Sequence, residues 1–227
     1  MAIENAGGAV RAVIFDMDGL LLDTEGIYTD VTQTIASRFG KVFGWEVKQH
    51  TIGRGARELA EYVVEALALP ITADEFLAER EPLLCAQFAA APAKPHAAAL
   101  VRHLAAHGVP IAVGTSSTRA YFDLKTSRHR EWFARFDAIV TADDPEVHAA
   151  KPAPDIFLVA ARRLGVAPHE ALVLEDSPFG VMAARAAGMR VIAVPDPAMD
   201  RERYASADAI LDALDRFDPA AWGLPAR

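Results

Sequence analysis

The sequence predicts an α/β fold, a doubly wound parallel sheet with an inserted α-helical cap. Three observations carry that prediction. Short apolar runs recur, each ending in acidic or hydroxyl-bearing residues. After residue 95 these runs alternate with stretches of helical periodicity that close on glycine. Between residue 21 and about residue 91 no strand-like run occurs. Strands alternating with helices make a parallel sheet covered on both faces. A long helical stretch placed behind the first strand reads as an insertion into that sheet.

The first strand is read over 10–15, where Val13-Ile14-Phe15 runs into Asp16-Met17-Asp18-Gly19. Short apolar runs of this kind are buried strands, so the two carboxylates stand where strand becomes loop. Ligand crevices lie at that end of the strands in open α/β sheets. Side chains alternate along an extended chain, which puts Asp16 and Asp18 on one face. Two acids held so close repel unless a cation neutralises them. A hard divalent ion such as Mg²⁺, which takes oxygen ligands, meets that need. By itself the motif is equally well a strand ending in a polar turn.

The insertion spans 21–91, leaving 1–20 and 92–227 as the core. Thr24 is placed to cap a helix running to Phe39. Residues 55–69 have helical periodicity, with Leu59, Val63, Ala66 and Leu67 on one stripe. Thr72-Ala73-Asp74-Glu75 has the form of a capping box before a third helix. Pro92 and Pro95 punctuate the return to the core. The alanine-rich stretch 86–99 is helix composition rather than function.

In the core, a helix over 97–107 is closed by Gly108. Strands are expected near 110–114, 138–141, 171–174 and 190–194, and helices near 155–164 and 178–187, ending at Gly165 and Gly188. The strand ends carry the chemistry. Thr115-Ser116-Ser117 follows Ile111-Ala112-Val113-Gly114, and Glu175-Asp176-Ser177-Pro178 follows Leu172-Val173-Leu174. Between them Lys151 opens Lys-Pro-Ala-Pro-Asp, a loop stiffened by its prolines ahead of a helix. Taken singly, Thr115 is a helix cap, Lys151 a solvated lysine and Glu175-Asp176 an acidic loop. Together they supply what phosphoryl transfer requires: a nucleophile, acids for a metal, and donors and a cation for the non-bridging oxygens.

These four motifs, in this order, resemble the haloacid dehalogenase superfamily of phosphohydrolases. Between them, Leu20-Leu21-Leu22-Asp23-Thr24-Glu25, Lys125-Thr126-Ser127-Arg128-His129, Asp143-Asp144-Pro145-Glu146-Val147 and the tail Gly223-Leu224-Pro225 resemble its pseudouridine-5′-phosphatase branch. The match covers nearly the whole chain. It implies a helical cap hinged to the core, a Mg²⁺ cofactor and hydrolysis of a nucleoside or sugar monophosphate, with pseudouridine 5′-monophosphate the leading substrate. It also implies the roles. Asp16 is the nucleophile that forms an aspartyl phosphate. Asp18 is the general acid and then base, its backbone carbonyl also meeting the metal. Asp176 is a metal ligand, and Glu175 ligates directly or through water. Thr115 and Ser116 donate to the phosphoryl group, and Lys151 neutralises charge there and on Asp16. In the related β-phosphoglucomutases a similar Gly…Arg-Glu segment holds a second phosphate, which raises Arg57 as a substrate ligand. A solvent-facing helix charge is the preferred reading of Arg57.

Two other functions fit parts of the pattern. A sugar phosphomutase shares the core motifs, and hydrolysis is not distinguished from transfer in them. A phospho-accepting signalling switch shares the acids, hydroxyl and lysine, but Asp18 and the long helical insertion count against it. Asp18 counts equally against a dehalogenase.

Composition sets outer bounds. The chain has 227 residues, 52% of them hydrophobic, enough for one sizeable core with an inserted domain. A net charge of −8 argues against nucleic acid or an anionic membrane as partner. No apolar run approaches the ~20 residues of a membrane helix, and residues 1–10 lack the pattern of a secretion signal. The single cysteine, Cys85, excludes an intrachain disulfide and is read as packing. The scattered histidines lack ligand spacing. A monomeric cytoplasmic enzyme acting on a small phosphate ester is the expectation.

Overall fold

A computed structural model describes residues 9–227, so the reading of residues 1–10 falls almost wholly outside the described part. Six parallel strands form one sheet in the order β3-β2-β1-β4-β5-β6. They are β1 (Ala12–Phe15), β2 (Ile111–Gly114), β3 (Ala138–Val140), β4 (Ala171–Glu175), β5 (Arg190–Ala193) and β6 (Ala209–Ile210). The winding direction reverses between β1 and β4, which pair in register as Phe15↔Leu174. β1 and β4 are buried along their whole length, as strands covered on both faces must be. Alternation divides β1 between two cores. Val13 and Phe15 join Leu172, Leu174 and Val113 on one face. Ile14 joins Val173, Val191 and Phe157 on the other.

The helices are α1 (Glu25–Ser37), α2 (Trp45–Lys48), α3 (Ala56–Ala66), α4 (Ala73–Phe88), α5 (Ala97–Ala106), α6 (Arg119–Lys125), α7 (Arg130–Phe133), α8 (Asp155–Arg163) and α9 (Pro178–Ala186). α5 and α7 lie towards the first core, whereas α8 and α9 cover the second. Helices α1 to α4 gather around a third apolar cluster that includes Val31, Ile35, Ala60, Val63, Phe76, Leu84 and Phe88. Tyr121 and Leu124 of α6 pack against that cluster, so the helical segment rests on the core through α6.

Four details depart from the sequence reading. Ala66 is exposed, and Ala60 takes its place in the buried stripe of α3. Thr24 precedes α1 but makes no capping hydrogen bond, because its hydroxyl is used elsewhere. α2, α6 and α7 are too short to give a periodic signal. β6 is a two-residue edge strand, held where Asp208 accepts from the Val191 amide at 2.7 Å. The Thr72–Glu75 capping box is present, with both reciprocal hydrogen bonds made. Cys85 lies half-buried on α4.

Candidate active site

The pairing of β1 with β4 decides where the acids meet. Phe15 and Leu174 are partners, and the Asp16 amide donates to the Leu174 carbonyl at 3.0 Å. Asp16 and Glu175 therefore leave the sheet side by side at the point where strand order reverses, the usual crevice of such sheets. Two glycines admit the carboxylates. Gly19 has φ +80°, and a Cβ there would stand 2.0 Å from Asp176 Oδ2. A Cβ on Gly180 would stand 1.7 Å from Glu175 Oε1, so only glycine lets Glu175 tuck beneath the first turn of α9. Ser177 caps that turn, accepting from the Gly180 amide at 3.0 Å.

Asp16, Glu175 and Asp176 each offer an oxygen within 4.8 Å of the others. Lys151 Nζ donates to Asp16 Oδ1 at 2.6 Å and to Glu175 Oε1 at 2.7 Å. Glu175 Oε2 accepts from the Ser177 amide at 2.6 Å. All four side chains are buried. Burial pushes the Asp16 carboxyl up to about 7, and Glu175 and Asp18 add to the rise while Lys151 opposes it. Burial, with Glu175 and Asp16 alongside, raises Asp176 well above the usual carboxylate range. Burial works against the Lys151 ammonium, but Asp16 and Glu175 outweigh it and hold its pKa above the ordinary lysine value. Fully ionised, three carboxylates against one ammonium would leave two negative charges with no protein counter-ion. An all-oxygen donor set with that excess charge fits a divalent hard cation such as Mg²⁺.

Asp18 belongs to a second charge centre. Its Oδ1 accepts from Thr24 Oγ1 at 2.7 Å and from Lys125 Nζ at 2.6 Å, and its Oδ2 accepts from Ser117 Oγ at 2.8 Å. Burial tends to raise its pKa, but Lys125, then Thr24 and Ser117, hold it below the ordinary value. Lys125 is 0% exposed, donates also to Tyr28 Oη at 2.7 Å, and sits over the Phe88 ring at 4.3 Å. The two carboxylates of the Asp16–Asp18 motif are thus neutralised separately, and the Asp18 carboxylate stands outside the three-oxygen cluster.

The other sequence candidates divide. A cleft is lined by Asp16, Asp18, Lys151, Glu175, Asp176, Ser116, Ser117 and Thr118 from the core, and by residues of the helical insertion opposite. Thr115 is fully buried behind that wall, its Oγ1 accepting from the Ser117 amide at 3.1 Å, and the cap of α6 is Thr118 instead. Arg57 is exposed and pairs with Asp74 Oδ1 at 2.6 Å, off the cleft. Arg54, three residues earlier, does line it. Its Nε donates to the His50 carbonyl at 2.6 Å, and its guanidinium lies 4.9 Å from the Tyr62 ring centre.

Sequence reasoning missed Lys125, Thr24, Ser117, Arg54 and Arg80 as site residues. Lys125 stands 107 positions from Asp18, and only the tertiary fold joins them. It does open one of the segments that carried the family resemblance. Arg80 lies mid-helix with no local signal.

A haloacid dehalogenase-like hydrolase profile matches residues 10–188. (DL)-glycerol-3-phosphatase 2 of Arabidopsis thaliana is 45% identical over 229 residues, covering 99% of this chain and 95% of its own. A probable pseudouridine-5′-phosphatase of Drosophila melanogaster is 44% identical over 220 residues, covering 96% of this chain and 95% of its own. Among solved structures, a hydrolase from Deinococcus radiodurans with bound phosphate and sodium superposes with a TM-score of 0.79 at 26% identity, covering 96% of this chain and 99% of that one.

Proposed function

From the premise that this chain belongs to the haloacid dehalogenase-like hydrolase family, we propose that it is a Mg²⁺-dependent phosphomonoester hydrolase working through an aspartyl phosphate on Asp16. The observation that carries this reading is the Asp16–Glu175–Asp176 cluster bridged by Lys151 at the sheet's switch point.

Asp16 attacks phosphorus with its free carboxylate oxygen while the ester oxygen departs with the bonding pair. Lys151 offsets the charge on Asp16 and on the phosphoryl oxygens, and Ser116, which lines the cleft, donates to those oxygens, while Thr115 supports the loop from behind. Asp18 supplies the proton that the departing alkoxide takes up. In the second half, water attacks the phosphorus of the acyl phosphate, Asp18 accepts its proton, and Asp16 is released. A Mg²⁺ held by Asp16 and Asp176, with Glu175 and the Asp18 carbonyl assisting, would neutralise the phosphoryl oxygens during both steps.

Asp18 cannot donate a proton while Thr24, Ser117 and Lys125 hold it ionised. It must exchange those partners for the leaving oxygen. Thr24 immediately precedes α1, so a movement of the helical insertion relative to the core would carry one of the three donors away. That couples closure of the segment 21–91, read here as the cap, to the acid step.

For the substrate, relatives named for glycerol 3-phosphate and for pseudouridine 5′-phosphate match about equally. Tyr28, Tyr121, Ile52 and Leu59 give the cleft aromatic and aliphatic walls. Such walls suit a ring more than a polyol, which favours a nucleoside monophosphate such as pseudouridine 5′-monophosphate. A phosphomutase is the second reading, and Arg54 on the cleft is the feature that favours it.

The test is a phosphate-release screen, with Mg²⁺ and with EDTA. It should cover pseudouridine and uridine 5′-monophosphates, FMN, glycerol 3-phosphate, 2-deoxyglucose 6-phosphate and β-glucose 1-phosphate. Mg²⁺-dependent release, highest on a pyrimidine nucleotide, is expected. Isomerisation of β-glucose 1-phosphate without net release would favour the mutase.

A further inference from the structure

Arg80 is the most anomalous charge in the molecule. It projects from the middle of α4, is 5% exposed, and its Nε has no hydrogen-bond partner. No ion pair involving it occurs among the described residues. Its guanidinium stacks on an aromatic ring, its carbon 5.0 Å from the Tyr28 ring centre. Lys125 lies on the same ring at 5.0 Å, but Lys125 is ion-paired with Asp18, whereas Glu25, the carboxylate whose charge acts on Arg80, makes no ion pair with it among the described residues. An arginine does not discharge by losing its proton. A desolvated cation–π contact offsets only part of the cost of burying a charge without an ion-pair partner. Packing alone does not explain why an arginine stands here.

Its position supplies the reason. Arg80 lines the catalytic cleft from the cap side, opposite Asp16 and Lys151. The phosphoryl group already has its counter-charges on the core side, from Lys151 and the cation the acids would hold. What reaches the cap wall is the alcohol half of the ester. Arg80 stacks on Tyr28 there, and Leu59, Ile52 and, from α6, Tyr121 line the same cleft with Glu25 and Arg54, so flat and aliphatic surfaces surround rigid forks of N–H donors. Aromatic walls with a guanidinium fork fit a planar ring bearing carbonyl oxygens.

We propose that Arg80 is a specificity-determining residue that donates hydrogen bonds to ring carbonyl oxygens of a nucleotide-type leaving group. This rests on reading the Asp16 cleft as a phosphatase site, and it names the class of ester that site selects. Bound substrate would supply the acceptors that Arg80 lacks in the free enzyme.

The experiment compares wild type with Arg80→Met and Arg80→Lys. It measures kcat and KM in Mg²⁺ on uridine or pseudouridine 5′-monophosphate and on phenyl phosphate, whose ring has no carbonyl. Melting temperature is followed in parallel. Arg80→Met should lower the ratio of kcat/KM for the nucleotide to that for phenyl phosphate by about 10- to 100-fold, the scale of hydrogen bonds to a charged donor. The loss should fall mainly in KM. Arg80→Lys should recover only part of it, because an ammonium lacks the fork. Melting temperature should hold or rise, since an uncompensated buried charge has been removed. An unchanged ratio overturns the proposal, whether activity is retained on both esters or lost equally on both. A fall in melting temperature with an unchanged ratio would instead assign Arg80 to the packing of α4 on α1. Wild-type turnover of phenyl phosphate but not of nucleotides would overturn the proposal and leave the phosphatase reading standing. A wild type silent on both esters would overturn the phosphatase reading, and the Arg80 role with it.

Discussion

The two walls of the cleft carry opposite unmatched charge. On the core wall, Asp16, Glu175 and Asp176 outnumber Lys151, their one ammonium partner. On the wall formed by α1 to α4, Arg54 and Arg80 make no ion pair among the described residues, and Glu25, the acid that lines the cleft there, is pushed up to about 6 by burial. The fold has buried excess charge on both sides at a cost in stability. The proposed function and the proposed role of Arg80 supply partners from outside: a cation and a phosphoryl group on one wall, acceptor oxygens on the other. The core wall is built from strand ends whose spacing is set by sheet register. The cap wall is built from helix faces, whose residues can change without disturbing the chemistry opposite.

The sharpest way to break this contrast is to remove Lys151, the ammonium that pairs with Asp16 and Glu175. Lys151→Met leaves three buried carboxylates uncompensated. It should cost about 3–5 kcal/mol of stability in EDTA, the usual penalty for stripping one partner from a buried ion pair. Denaturant unfolding in EDTA and in Mg²⁺ checks this, and Mg²⁺ should recover part of the loss. A cost below about 1 kcal/mol would mean that the acids are not strained against one another.

A smaller effect, with a defined sign, concerns pH. Asp16 has a folded-state pKa raised from 3.8 to about 7 in the metal-free protein, and Asp176 is raised in the same direction. The folded state therefore binds more protons than the unfolded chain over that interval. Metal-free stability should fall as pH rises from about 4 to 7. Mg²⁺ favours the ionised acids, so the melting shift that Mg²⁺ produces should grow over the same window. Thermal melts at pH 5 and pH 8, with and without Mg²⁺, measure it. An equal shift at both values would count against the acids as the metal site.

How far the site could be read in advance follows from the same contrast. The strand ends bearing Asp16, Thr115 and Glu175 were legible because short apolar runs stop at polar residues, and the parallel sheet followed from alternation. The partners of Asp18 were not. Thr24 was read as a helix cap, yet its hydroxyl is drawn off to Asp18. Lys125 lies on a helix too short to show a period. Arg57, preferred as a solvent-facing helix charge, does face solvent, and the arginine on the cleft is Arg54, just ahead of α3 between Gly53 and Gly55, a position the sequence does not single out. Arg80 is invisible to pattern reading, since a charged residue mid-helix ordinarily faces water.

The smallest expected effect is at Arg57. Exposed and paired with Asp74 outside the cleft, it should tolerate Arg57→Ala within about 0.5 kcal/mol in stability. Its kcat/KM should be near wild type on mono- and bisphosphates alike. A selective loss on β-glucose 1,6-bisphosphate would move the second anion site back to Arg57 and favour the mutase.

The central claim, that Asp16 is the phosphorylated nucleophile of a Mg²⁺-dependent phosphatase, is tested most directly by Asp16→Asn. The variant is compared with wild type for phosphate release at saturating Mg²⁺, after matched circular dichroism establishes that both are folded. The amide cannot form the acyl phosphate, so turnover should fall by at least ~10²-fold, the typical loss when a catalytic group is deleted. A folded Asp16→Asn protein that keeps more than about 1% of wild-type turnover, or a wild type equally active in EDTA, would contradict the claim.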